Sequence, residues 1–107
     1  MSNPLELPKD YWAYLEADGV SEAETTGEPG YFMLWHPDEI EETNASLEIA
    51  KYAPGFLGFG SDGGSELLAF DATGAVYLLP MVGLSSRQAR RIAASWPEIS
   101  QRIKAAN

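Results

Sequence analysis

Between Tyr52 and Pro80 the chain reads YAPGFLGFGSDGGSELLAFDATGAVYLLP, and this stretch limits the possible folds more than any other. It holds three short runs rich in aromatic and aliphatic residues, parted by SDGGS and ATG. Runs of this length between glycine turns suit antiparallel strands, which predicts strands over 56–59, 66–71 and 75–80. Gly60, Gly63 and Gly64 offer the positive φ angles that tight turns use, and Asp62 is placed to accept hydrogen bonds from nearby backbone amides. These four residues are therefore expected to be structural turn residues.

The flanking segments change period. Pro8 suits the first turn of a helix over 8–18, with Tyr11, Trp12, Tyr14 and Leu15 clustered on one side and Asp18-Gly19 as the stop. SEAETTGEPG, residues 21–30, is polar and rich in glycine, and reads as a mobile surface loop. Tyr31 to Trp35 is apolar throughout and predicts a fourth strand. His36-Pro37-Asp38-Glu39 marks a helix start, with proline in the tolerant first turn and carboxylates at the positive end of the dipole, and the helix is expected over 38–50. Ser85 or Ser86 is expected to cap a short helix with Ala89, Ile92 and Ala93 inward. Ser95-Trp96-Pro97-Glu98 fits a capping box opening a last helix over 95–105. The expected class is α+β, a single domain over 1–107 with an antiparallel sheet packed by N-terminal, middle and C-terminal helices.

A chain of 107 residues buries roughly 65% of its unfolded surface on folding, enough to dispense with metals and disulfides. There is no cysteine, which removes disulfides, zinc thiolate sites and thiol nucleophiles together. The N-terminus lacks a basic, apolar leader, and no apolar run approaches the ~20 residues of a membrane helix, so a cytoplasmic protein is the expectation. The net charge of −9 is unevenly spread. Residues 1–71 carry fifteen acids against Lys9 and Lys51, a net of −13, whereas residues 72–107 carry Glu98 against five bases, a net of +4. Such a field repels nucleic acid and anionic lipid and draws in basic proteins. The densest acids on an outward helix face are Asp38, Glu39, Glu41 and Glu42, the candidate partner-binding residues.

Candidate chemistries are thin. His36 is the only histidine, so it would be the sole base of a triad or would share a metal with carboxylates alone; a place at the helix start accounts for it. GSDGG lacks the GK[ST] ending of a phosphate loop and precedes a strand, so no helix dipole is aimed at an anion. Asp62 and Asp71 lack the regular oxygen spacing of a calcium loop. The acids of the second helix, as a glycosidase pair, have no cleft implied for them. Tyr11, Trp12, Tyr31, Phe32, Trp35, Phe56, Phe59, Phe70, Tyr77 and Trp96 are expected to be mostly core. The sequence thus offers no catalytic residues, metal site or cofactor.

Five blocks in order, LPKDYWAYLEADGV, GYFMLWHPDEIEETN, YAPGFLGFGSDGG, ELLAFDATGAVYLLPM and AASWPEI, resemble the SUKH superfamily, the Smi/Knr-type domains best known as toxin immunity proteins. The resemblance spans nearly the whole chain. It implies an α+β domain that binds protein without catalysis, with a toxin effector domain, such as a basic nuclease, as the expected partner. Another reading keeps the fold and makes the chain a regulatory or interaction module with a different protein partner. An enzyme or small-ligand carrier would need a deep pocket lined by paired carboxylates. The acidic stretch at 21–30 and the arginines at 87–91 depart from the family pattern, where specificity varies.

Overall fold

In a computed structural model, which describes residues 6–104, the strands form one curled, six-stranded antiparallel sheet in simple sequence order. The elements run α1 (Lys9–Glu16), β1 (Glu22–Glu24), β2 (Tyr31–Leu34), α2 (Pro37–Ser46), α3 (Ile49–Tyr52), β3 (Leu57–Ser61), β4 (Glu66–Phe70), β5 (Val76–Pro80), a 3-10 turn (Ser86–Gln88), β6 (Arg90–Ala93) and α4 (Trp96–Ser100). The expected α+β class, an antiparallel sheet packed by helices, is the one observed. The four expected strands are β2 to β5.

Alternation along the strands sends side chains to both faces, and both faces are covered. Phe32, Phe59, Leu68, Phe70, Val76 and Leu78 form the first core with Tyr11 from α1 and Trp96 and Ile99 from α4. Leu67, Ala69 and Leu79 face the other way and pack with Ile49 of α3 and Ala53, beside Phe56, Met81 and Leu84. Ile40 of α2 belongs to the first core, Ile49 to the second, and Trp35 touches both. The two middle helices therefore carry the chain from one face to the other. Trp96 is fully buried, with ring centroids 5.2 Å from Tyr11, Tyr14 and Phe32 in edge-on arrangement, a geometry that adds to the area term.

Five expectations need correction. Residues 21–30 are not simply a loop. Glu22, Ala23 and Glu24 pair with Met33, Phe32 and Tyr31, and the turn that follows is tied by Thr25, whose hydroxyl donates to the Gly27 carbonyl (3.0 Å) and accepts from the Gly30 amide (2.8 Å). Arg102 donates to the Glu28 carbonyl at 2.7 Å and Arg90 pairs with the Glu28 carboxylate. A three-residue strand of polar composition has no readable period of its own, so only its pairing defines it. The helix expected over 38–50 is two helices, because Glu48 adopts φ 55°, ψ 43° and turns the chain so that Ile49 enters the second core.

The expected helix around Ala89 to Ala93 is a 3-10 turn capped by Ser85, followed by strand β6. The open edge of β5 takes up this segment, pairing Val76 with Ala93 and Tyr77 with Arg91, and tertiary pairing overrides the helical spacing. Finally, the last helix ends at Ser100 and not at 105, a position outside the described residues. The chain beyond it is used instead to close the sheet: the Thr26 amide bonds the Arg102 carbonyl (2.8 Å), the Lys104 amide bonds the Glu24 carbonyl (2.9 Å), and Thr25 bridges Ile103. The outer edge of β1 is thereby bonded at its Glu24 end, which shortens the stretch open to edge-to-edge association,. The capping box is also displaced. Ser95 makes no side-chain cap bond, and Glu98 accepts from the Ala94 amide at 3.0 Å.

Candidate functional site

The outer side of α2 is the candidate site, and the residues before it explain its orientation. His36 has extended backbone geometry and its Nδ1 accepts a hydrogen bond from the Asp38 amide at 3.1 Å, so it caps the helix that Pro37 opens. Ile40 faces the core at 5% exposure. One turn later Asn44 fixes the helix to the sheet. Its Nδ2 donates to the carbonyls of Ile40 (2.7 Å) and Gly58 (2.8 Å), and its Oδ1 accepts from the Gly58 amide (2.8 Å). Asn44 thus serves both backbone groups of Gly58 beside the irregularity of β3 between Gly58 and Gly60, as a neighbouring strand would.

With Ile40 and Asn44 turned inward, Asp38, Glu39, Glu41 and Glu42 are all exposed. A shallow groove of about 460 Å³ runs along the helix, lined by Glu39, Glu42, Thr43, Ser46 and Leu47. The fold brings Glu39 and Glu42 together at this groove and leaves Asp38 and Glu41 off it. Among the described residues no lysine or arginine lies within ion-pair distance of any of the four; Asp38 sits 3.7 Å from His36 Nδ1. Three of the basic residues are paired elsewhere. Arg90 bridges Glu28 and Glu66, Lys104 approaches Glu24 at 3.8 Å, and Lys51 approaches Glu48 at 3.7 Å. Like charges three and four residues apart on a helix repel one another. The face is therefore a concentrated negative field that a cationic surface would relieve.

The turn residues lie at the other end of the sheet's hairpins. Gly60 is inside β3, opposite Leu34 and Leu68, and a Cβ there would come 2.6 Å from the Met33 carbonyl oxygen. The role the sequence suggests for it, a turn, is replaced by a close approach of two backbones. Asp62 Oδ1 accepts from the amides of Gly64 (2.8 Å) and Glu66 (3.2 Å), the Gly63 amide bonds Ser61 Oγ (3.1 Å), and Gly63 has φ +81°. Asp71 closes the next turn. Its Oδ1 accepts from the Thr73 amide and hydroxyl and the Ala75 amide, and its Oδ2 accepts from the Tyr77 hydroxyl at 3.0 Å. Partial burial pushes this carboxyl up, yet the hydrogen bonds from Thr73, Tyr77 and Ala75 outweigh it and hold it below the usual carboxylate range,. Asp62 and Asp71 flank opposite ends of β4 and each serves its own turn. Among the described residues no group of three or more metal-ligating side chains assembles.

Sequence reasoning missed the Asn44 clamp and the uncovered face of β1 and β2. Asparagine inside a helical pattern was a usable signal for the first, since its side chain competes for backbone bonds and needs a reason to be there. The second had none, because the strand β1 that completes it is unreadable locally.

The family model described as SMI1 / KNR4 family (SUKH-1) matches residues 4–102. No curated protein matches the chain.

Proposed function

From the premise that the chain belongs to the SMI1 / KNR4 family (SUKH-1), we propose that it is an immunity protein, a non-catalytic domain over residues 1–107 that binds and neutralises a cognate bacterial toxin effector in the cytoplasm. SUKH domains generally bind protein partners, are commonly immunity proteins and are generally non-catalytic. The observation that carries the choice of partner is the acidic face of α2, whose carboxylates lie beyond ion-pair reach of every lysine and arginine among the described residues. A toxin that cuts nucleic acid presents a basic surface to its polyanionic substrate, and a helix face with four carboxylates fits that surface. Glu39 and Glu42 at the groove would take lysine or arginine side chains from the toxin, with Thr43 and Ser46 as hydroxyl partners. His36, the one imidazole, is occupied as a helix cap, in keeping with a non-catalytic role.

Co-expression in bacterial cells with the product of the adjacent large open reading frame, as the candidate toxin, tests the proposal. Growth should be restored, and a stoichiometric complex should be recovered. Binding without rescue would replace the immunity reading by that of a regulatory or interaction module with the same fold, and neither binding nor rescue would end it.

A further inference from the structure

On β2, Phe32 and Leu34 face the first core, so Tyr31 and Met33 face the opposite side of the sheet,. On that side β3 to β5 are roofed by α3, Phe56, Met81 and Leu84, but the roof stops short of β1 and β2. Neither Tyr31 nor Met33 belongs to either core cluster, and Met33 is 39% exposed in the middle of its strand. Directly opposite in β1 stand Glu22, across from Met33, and Glu24, across from Tyr31. The Tyr31 hydroxyl donates to Glu22 Oε1 at 2.7 Å and its ring lies over Gly63, where a Cβ would come within 2.8 Å of it. The result is a short apolar strip, held at Tyr31 and bordered by carboxylates.

We infer that this open face of β1 and β2 docks a cationic segment of a partner protein, one that sets an aliphatic side chain against Met33 and a lysine or arginine against Glu22. The inference rests on reading the chain as a protein-binding domain. Charge selects the occupant. A second copy of this chain laid on the face would oppose Glu22 and Glu24 to their own counterparts, and the net charge of −9 disfavours anionic lipid and nucleic acid. Residues 102–104 bond the outer edge at Glu24 and Thr26, which leaves too little free backbone for an added strand along β1, so the partner lies across the face. Lys104, 3.8 Å from Glu24, leaves Glu22 as the stronger cation subsite.

The test titrates the isotopically labelled full chain with a short amidated peptide alternating lysine and valine, and follows backbone amide shifts. Shifts should concentrate at residues 22–24 and 31–33. Met33→Lys should weaken binding about tenfold at an unchanged melting temperature, and a control peptide with serine for valine should bind about tenfold more weakly. Glu22→Gln, which disturbs no packing, should weaken binding severalfold and serves if Met33→Lys melts early, while Glu16→Gln, on an exposed position of α1, should bind within about twofold of the parent. Shifts centred on α2, unchanged binding by both Met33→Lys and Glu22→Gln, equal binding of the serine control, dimerisation through this face, or no saturable binding would each overturn the inference. Failure of toxin protection with the peptide still mapped to this face would remove the immunity reading alone, and protection with the peptide mapped elsewhere would remove this surface alone.

Discussion

Among the described residues, two polar atoms in the first core have no partner, the Tyr11 hydroxyl and Trp96 Nε1, although both residues are fully buried. Burial also raises the Tyr11 phenol well above its usual range, with the neighbouring Tyr14 adding to it. Burying a hydroxyl without a bond costs on the order of 1–3 kcal/mol, so Tyr11→Phe, which keeps the ring against Phe59, Phe70 and Trp96, is expected to raise stability by about 1 kcal/mol in urea unfolding. Trp96→Ala removes the ring those aromatics surround and is expected to cost about 3–5 kcal/mol; a melting shift near zero would contradict its central place. Asp71 behaves oppositely to Tyr11, since every bond it makes favours its charged form. Its folded pKa is lowered, so its contribution is complete above the unfolded value of about 3.9 and fades as pH falls through the folded one. Asp71→Asn should therefore cost about 1–2 kcal/mol near neutrality, and the gap to the parent should close below about pH 4. A gap that persisted to low pH would show that shape and not charge holds the turn.

Elements with a strong period and glycine stops are legible in the sequence: β2 to β5, α1 and the start of α2 all follow their sequence signals. The others were decided by neighbours. β1 is Glu-Ala-Glu and becomes a strand because β2 on one side and residues 103–104 on the other supply its partners. β6 carries a helical spacing but lies where β5 has an open edge. The break at Glu48 has no glycine or proline to announce it, because it is driven by Ile49 reaching the second core. Of the candidate site, the exposed acids were legible from the capping signal and Ile40, whereas the Asn44 clamp depends on where α2 meets β3. That clamp gives an element-scale prediction. Asn44→Ala strands both backbone groups of Gly58 and should cost about 2–3 kcal/mol, with amide exchange rising first at Gly58 and along α2. Exchange rising uniformly over the chain instead would mean that α2 docks through Ile40 alone.

Across the whole molecule the charges are sorted by the fold as well as by the sequence. Arg90 and Lys104 from the basic C-terminal part return to Glu28, Glu66 and Glu24, neutralising the β1 side in part, and no arginine or lysine among the described residues comes within ion-pair distance of the α2 carboxylates. Charge that is not needed for folding can be removed without unfolding, so the variant carrying Asp38→Asn, Glu39→Gln, Glu41→Gln and Glu42→Gln should keep its stability within about 1 kcal/mol. Lost dipole interactions at the helix start are offset there by relief of like-charge repulsion. Its association with a basic toxin domain should nonetheless slow severalfold or more at low salt, and the difference should shrink as ionic strength rises and the Debye length falls from ~30 Å at 0.01 M to ~8 Å at 0.15 M. Dissociation should change less, because exposed charges act chiefly on the encounter, while the apolar contact inferred at Met33 would be short-ranged and would act on the lifetime of the complex. Stopped-flow measurements on this variant and on Met33→Lys across a salt series separate the two contributions. A parent-like association rate at every salt concentration would reduce the acidic face of α2 to a solubility device and leave recognition to the sheet.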